Sequence, residues 1–333
     1  MKQIWKELGI AAIMGLIVPS LVLAAAVQFS ANPQQEDPDP IIEHTQPEAT
    51  EAIHADVLIP VLDAGDIRDM KLESYLVEVV LAEMPASFEM EALKAQAVVA
   101  RTYTLRAHEG KAKHDAATVC TDYNCCQAYC SIEEYLQRGG TEENVEKIRS
   151  AVTQTAGQVL VYDEHLIEAT YFSCSGGSTE DAVAVWGTDV PYLRSVKSPG
   201  EENAAYYEDS VEFSRTQLTS ALGVELDNKP AGWIGEISYT AGGGVRDIQI
   251  GDKMFTGTEL RKLLKLRSTA FKIITGEKGV TIVTRGYGHR VGMSQYGADA
   301  MAASGSTYPE ILSHYYQGTS LVDWSIDKES GIG

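Results

Sequence analysis

Positive charge is scarce in this sequence: Lys and Arg number 27 against 47 Asp and Glu, for a formal net charge of -20 and an isoelectric point near 4.7. No basic tract interrupts that excess, so a phosphate backbone would be repelled and nucleic acid is excluded as a partner. No segment repeats at periods of about 20 to 50 residues, which argues against a solenoid or propeller. Cysteine is sparse too. There are five, Cys120, Cys125, Cys126, Cys130 and Cys174, four of them inside the stretch CTDYNCCQAYC. The stretch FSCSGG lacks the flanking glycines and following helix of a serine-hydrolase elbow. No histidine motif accompanies the cysteines to support a thiol-dependent enzyme.

Charge is also missing from Leu8 to Val27, a run long enough to cross a hydrocarbon core of about 30 Å as a helix. Lys2 and Lys6 precede it and acidic residues follow, which places the N-terminus in the cytoplasm and the body outside. A retained anchor is expected; a signal peptide cleaved near Ala24 to Ala26 is the rival reading. Pro19 is tolerable within a membrane span. An odd number of exported cysteines cannot all enter internal disulfides. Residues 1–30 thus read as cytoplasmic stub and anchor. Residues 31–56, rich in Pro, Asp, Glu and Gln, read as an extended linker. Residues 57–325 form the folded body and 326–333 a tail.

Within the body, VLIPVLDAG opens with a strand or two. Helices are expected from Leu72 to about Met84 and, after a break at Pro85, from about Phe88 to Ala107, with Ser87 as N-cap. A helix over Glu142 to Thr155 and strands over Gln158 to Tyr162 and Ile167 to Ser173 follow. Ser214 and Gln217 form a capping box with a Phe213–Leu218 staple. IGEISYTAGGGVRDIQIG reads as a hairpin, and strands are expected at Phe271 to Ile274 and Val280 to Thr284. A last helix starts at Thr307 with a capping box to Glu310 and closes at Gly318. This irregular alternation predicts an α+β fold, a single mixed catalytic body with a helical active-site region.

The stretch VVLAEMPASF holds an anomaly. On a helical wheel Leu72, Leu76, Val79 and Val80 lie within about 60° of Glu83, so this acid projects from the face that should be buried. Apolar surroundings and the negative end of a helix both oppose its ionisation. A carboxyl group held protonated is what a general acid requires. The bland alternative is that Pro85 ends the helix and Glu83 swings into solvent.

Three stretches occur in order: LESYLVEVVLAEMPASFEMEALKAQAVVARTYTL, YFSCSGGSTEDAVAVWGTDVPYL and GYGHRVGMSQYGADAMAASGSTYPEILSHYYQGT. With them the chain, from about Val57 to Val322, resembles the stage II sporulation protein D family. The resemblance implies a membrane-anchored lytic transglycosylase of peptidoglycan acting in forespore engulfment, in the mother-cell engulfing membrane. Such an enzyme cleaves the β-1,4 bond between N-acetylmuramic acid and N-acetylglucosamine and leaves 1,6-anhydro ends. It implies Glu83, in the EMP motif, as the catalytic acid/base. As partners it implies stage II sporulation protein P, an amidase/endopeptidase that strips stem peptides, and stage II sporulation protein M. The chemistry suits one acid: an ordinary glycosidase flanks the bond with two carboxylates, whereas here the substrate's own C6 hydroxyl attacks. Related domains enhance wall amidases, so a glycan-binding module without turnover is the alternative.

Other candidates follow from the same stretches. Lys94, Gln96 and Arg101 either border the glycan cleft or belong to an ordinary helix face, with Arg101 open to an internal ion pair. Tyr171, Ser173 and Ser175, followed by Gly176 and Gly177, suit sugar binding; a tight turn is the alternative. His289, Gln295 and Tyr296 could orient a sugar hydroxyl or the glutamate, or bond across their loop. Where the family usually has glycine this chain has Arg290, which would be strained if that position is left-handed. Some family members build a zinc site with a CxxxxHC arrangement. Here Cys120 and Cys126 keep the spacing, Cys125 replaces the histidine, and His114 lies upstream. Either these four hold a structural Zn²⁺, or Cys120 or Cys126 pairs with Cys130. No cofactor is expected for the chemistry itself.

Overall fold

The computed structural model describes residues 57–324, all within one compact unit, Ala49–Gly333. The expected anchor, linker and tail lie outside the described residues. Among the described residues no helix is long and apolar enough to cross a membrane. The body is a mixed α+β fold with several small sheets.

A hairpin of β1 (Leu58–Asp63) and β2 (Asp66–Lys71) leads directly into α1 (Leu72–Glu83). Pro85 forces Met84 into an extended conformation (φ -127, ψ 140), which ends α1 on Glu83. The helix α2 (Met90–Arg106) begins two residues later than expected. Its N-cap is Glu89, not Ser87: residues 85–88 form a turn closed by Phe88 N–H to the Pro85 carbonyl. The Glu89 N–H donates instead to Asp299 Oδ1 at 2.7 Å, a partner 210 residues away.

Alanines at 92, 95, 97 and 100 let neighbours approach α2 on several sides, and most of it is buried. Beyond it, a wide turn over Ala107–Lys111 precedes β3 (Val119–Cys120), parallel to β1. Then come α3 (Ile132–Gln137), α4 (Glu142–Gln154) and β4 (Gln158–Tyr162). After β5 (His165–Leu166), the strand expected over Ile167 to Ser173 is reduced to β6 (Tyr171–Phe172). The chain bends between them, where Thr170 N–H bonds the Glu168 carbonyl. A short α5 (Ala182–Trp186) follows.

Residues from β7 (Glu208–Ser214) onward build a second hydrophobic core. Its other members are α6 (Arg215–Leu222), the hairpin β8 (Ile234–Tyr239) and β9 (Val245–Ile250), β10 (Lys253–Thr256), α7 (Gly257–Leu263), β11 (Phe271–Thr275) and β12 (Gly279–Arg285). The Ser214–Gln217 capping box is present as expected. The chain then returns to the first core through β13 (Met293–Ser294), parallel to β6, and α8 (Gln295–Ala303). It finishes with α9 (Tyr308–Tyr315), which carries the expected Thr307–Glu310 box, and β14 (Ser320–Asp323), paired with β4. The α9 C-cap is Tyr316, and Gly318 (φ 72) lies two residues further on.

Candidate active site

Glu83 is half-buried at the last position of α1, on the wall of a cavity of about 620 Å³. Its Oε1 accepts from Ala128 N–H (2.6 Å) and from the Tyr171 hydroxyl (2.9 Å). Its Oε2 has one long contact, Gln295 Nε2 at 3.5 Å. Burial raises its pKa above the ordinary 4.5, and the donors from Ala128, Tyr171 and Gln295 oppose that rise without cancelling it.

The donors are held in turn. The Tyr171 hydroxyl also approaches Gln127 Oε1 (3.2 Å), and Gln127 Nε2 donates to Thr104 Oγ1 (3.0 Å), whose own proton goes to the Ala100 carbonyl (2.8 Å). Tyr171 thus donates to Glu83 Oε1, which can accept whether Glu83 is ionised or carries its proton on Oε2.

Aromatic residues line the cavity as well: Tyr103, Tyr123, Trp186 and Tyr287. Tyr123 is 74% exposed and Trp186 42%, and exposed aromatics grouped at a concave surface mark a binding site more than a packing need.

His289 also lines the cavity, its ring lying between Phe172 and Trp186 at 5.6 and 5.4 Å. Nδ1 accepts from Val291 N–H (3.1 Å), and the ring bonds the backbone of Tyr171. Burial first, and then the charge of Arg261, lowers its pKa to about 4, so the ring is neutral. Its nitrogens serve the main chain, and no hydrogen bond joins it to Glu83 among the described residues. Ser173 reaches the cavity wall with its hydroxyl unpartnered among the described residues, and Gln295 reaches Glu83.

Five expected binding residues are not brought to the cavity. Arg101 is wholly buried and forks onto Glu73 at 2.8 and 2.6 Å, the internal ion pair left open by the sequence. Lys94 pairs with Glu91 (2.7 Å) beneath the Tyr308 ring. Gln96 is buried in α2, and both its amide atoms lack partners among the described residues. The Ser175 hydroxyl and N–H both bond Glu201 (2.9 and 2.6 Å). Tyr296 packs edge-on against Phe88. Sequence reading missed Gln127, Ala128, Trp186 and Arg261; of these only Trp186, inside the stretch from Tyr171 to Leu193, carried a local signal.

All five cysteines are free thiols. His114, Cys120, Cys125 and Cys126 converge, with their ligand atoms all within 4.8 Å of one another. Both Cys125 Sγ and Cys126 Sγ lie 3.6 Å from His114 Nε2, and 3.9 Å from each other. Bonds of about 2.3 Å to sulfur and 2.0 Å to nitrogen set tetrahedral edges of roughly 3.5 to 3.8 Å. The four side chains therefore fit a zinc ion. Cys130 lies outside the cluster, its sulfur beside Arg138 and the Ser131 carbonyl.

Position 290 is left-handed, as the sequence warned: Arg290 has φ 67. Its guanidinium, almost fully buried, donates to the carbonyls of Ser175 (2.7 Å), Ser178 (2.7 Å) and Gly242 (2.8 Å) and to Glu180 Oε1 (3.0 Å).

The mixed α+β body thus sets a carboxyl group of raised pKa on the wall of an aromatic cleft, beside a cysteine–histidine cluster. Residues 63–162, which contain Glu83 and the whole cluster, match the family model described as Stage II sporulation protein. The chain is 36% identical to stage II sporulation protein D of Bacillus subtilis (strain 168) over 96% of both chains. It is 37% identical to its namesake in Bacillus amyloliquefaciens over 80% of this chain and 78% of the other. An amidase enhancer of Bacillus subtilis is 31% identical over 73% of this chain, which spans 39% of that longer protein. The chain belongs to the stage II sporulation protein D family.

Proposed function

We propose that this protein is a peptidoglycan lytic transglycosylase that cuts peptide-stripped glycan strands, with Glu83 as its only acid/base. The observation that carries the reading is the placement of Glu83: a carboxyl group with a raised pKa, one oxygen occupied by Ala128 and Tyr171, the other nearly free at a cleft wall. The proton on Oε2 passes to the glycosidic oxygen as the bond from C1 of N-acetylmuramic acid breaks. The carboxylate then takes the proton of the C6 hydroxyl as O6 bonds to C1. No water enters, and Glu83 ends protonated. The other acid on the cavity wall, Glu168, is 45% exposed in its side chain and faces Arg106 at 3.5 Å, so it is not prepared for an acid's role.

The run Leu8 to Val27 supports a membrane anchor with the body outside, and the family supports its placement in the mother-cell engulfing membrane. The family supports a role in engulfment together with stage II sporulation protein P, which strips stem peptides, and stage II sporulation protein M in the membrane. The cysteine–histidine cluster supports a structural Zn²⁺ held by His114, Cys120, Cys125 and Cys126. That loop continues into Gln127 and Ala128, so the same backbone that would hold the ion positions the Ala128 N–H that donates to Glu83 and the Gln127 amide that accepts from Tyr171.

The similarity to an amidase enhancer favours a second reading, a glycan-binding activator without turnover. Full-length protein in mild detergent, incubated with peptide-free strands, separates the two by mass spectrometry. Anhydro ends are expected from wild type and from Glu168→Gln, the latter within about fivefold since an exposed ion pair is worth ~1 kcal/mol at most. Persistence of anhydro ends in Glu83→Gln would remove Glu83 as the acid. Their absence from wild type, with stimulation of a wall amidase, would establish the enhancer.

A further inference from the structure

Four cations line the cavity, Arg106, Lys111, Lys113 and Arg261, against two acids, Glu83 and Glu168. In a chain of net charge -20 this is a local reversal of sign. Two of these cations are occupied, and Lys111 is exposed to solvent. Arg106 faces Glu168, while Lys113 lies over the Tyr103 ring and donates to the Cys125 carbonyl.

Arg261 is different. It stands on α7, in the segment that builds the second hydrophobic core, and is half-buried at the cavity wall. Its Nε donates to the Arg267 carbonyl at 3.3 Å. Asp209 is taken by Arg267 itself (3.1 Å), and no carboxylate pairs with Arg261 among the described residues. Burial disfavours its charged form, yet a guanidinium does not give up its proton in a protein. Its charge is felt across the wall at His289, whose pKa it helps to depress. A partly desolvated cation without a counterion costs stability unless a ligand supplies the anion.

We propose that Arg261 is a specificity-determining residue that pairs with the free carboxylate of a lactyl group on the bound glycan. This rests on the glycan-cleaving reading. In that reading the ring whose C1 reacts is N-acetylmuramic acid, which carries an O-lactyl group on C3. When the stem peptide has been removed, that group ends in a carboxylate. When the peptide is attached, the same carbon is a neutral amide, and the nearest negative charges lie further along the peptide. A fixed guanidinium in the wall distinguishes these two states, because its planar fork matches a carboxylate and gains little from an amide. The second core thus contributes the reading of substrate charge, while the first holds the acid.

The test uses the full-length chain carrying Glu83→Gln, which holds strands without cutting them. Three preparations are titrated: strands with free lactyl carboxylates, the same strands with these groups converted to primary amides, and strands bearing intact stem peptides. Free-carboxylate strands are expected to bind about tenfold tighter than amidated ones at low salt, the scale of one charged hydrogen bond. Raising the salt should erode the preference without any substitution at Arg261. Arg261→Gln in the same background should remove it and leave binding of amidated strands unchanged, and Arg261→Lys should restore part of it. Equal binding of free and amidated strands, or a preference that survives in Arg261→Gln, would overturn the assignment. So would stem-bearing strands that bind as tightly as free ones and lose the same factor in Arg261→Gln, since the carboxylate read would then belong to the peptide. Because this binding is measured without turnover, its failure leaves the chemistry of Glu83 intact, and absence of anhydro ends leaves the binding preference intact.

Discussion

Replacing Arg290 with glycine, the residue a left-handed position favours, should destabilise this protein. At φ 67 a side chain costs roughly 1–2 kcal/mol relative to glycine, so the substitution first appears favourable. Against that, Arg290 donates to Glu180 Oε1 and to three main-chain carbonyls. Glu180 is itself buried and keeps only Thr240 and Gly244 as donors, on the same oxygen, while its Oε2 has none. Removing one member of a buried ion pair costs about 3–5 kcal/mol, and the added glycine loosens the unfolded chain further. The loss wins by about 2–3 kcal/mol, or roughly 5 °C in melting temperature for a body of this size. Urea unfolding of wild type and Arg290→Gly measures it, with the double variant Arg290→Gly/Glu180→Gln as a control. Once the stranded charge is gone, that double variant should recover at least about 1 kcal/mol. An Arg290→Gly protein as stable as wild type, or more so, would show that backbone strain outweighs the buried network and refute the reasoning.

Three further outcomes are expected. The raised pKa of Glu83 means that the folded state holds this proton more tightly than the unfolded chain, so its contribution to stability is complete below the ordinary 4.5 and is lost as pH rises through the folded value. Glu83→Gln should therefore melt higher than wild type at neutral pH, and thermal scans should show the gap closing in acid. Tyr171→Phe removes a donor that favours the ionised form, so the alkaline limb of the pH–rate profile should move to higher pH. Metal analysis of protein prepared without chelator should find one zinc per chain, and Cys126→Ser should lose it together with thermal stability.

What the sequence made legible was what is decided locally. The capping boxes at Ser214 and Thr307 were read correctly because their donors and acceptors lie three residues apart. Glu83 was legible because its anomaly, an acid on the apolar face just before a helix-stopping proline, is contained in one turn. The start of α2 was not, since the group that satisfies its first N–H, Asp299, belongs to α8. Arg101 and Ser175 carried the right chemistry for sugar binding, but Glu73 and Glu201, each more than twenty positions away, claim them for the interior. Gln127 and Ala128 gave no signal: one acts through an amide common anywhere, the other through its main chain. Arg261 gave none either, because its meaning depends on where the second core sits beside the cavity.

The setting of Glu83 is drawn from residues 128, 171 and 295, the last of them 212 positions from the acid. Contacts of such long range form late, after the loop-closure entropy between them has been met. A chain still being made, or one cut short before α8, therefore carries the glutamate in an unfinished cleft without Gln295. For a protein proposed to cut the wall outside its own membrane, completeness of the fold acts as a safety catch: the cutting group is armed only when the whole body has been delivered and closed.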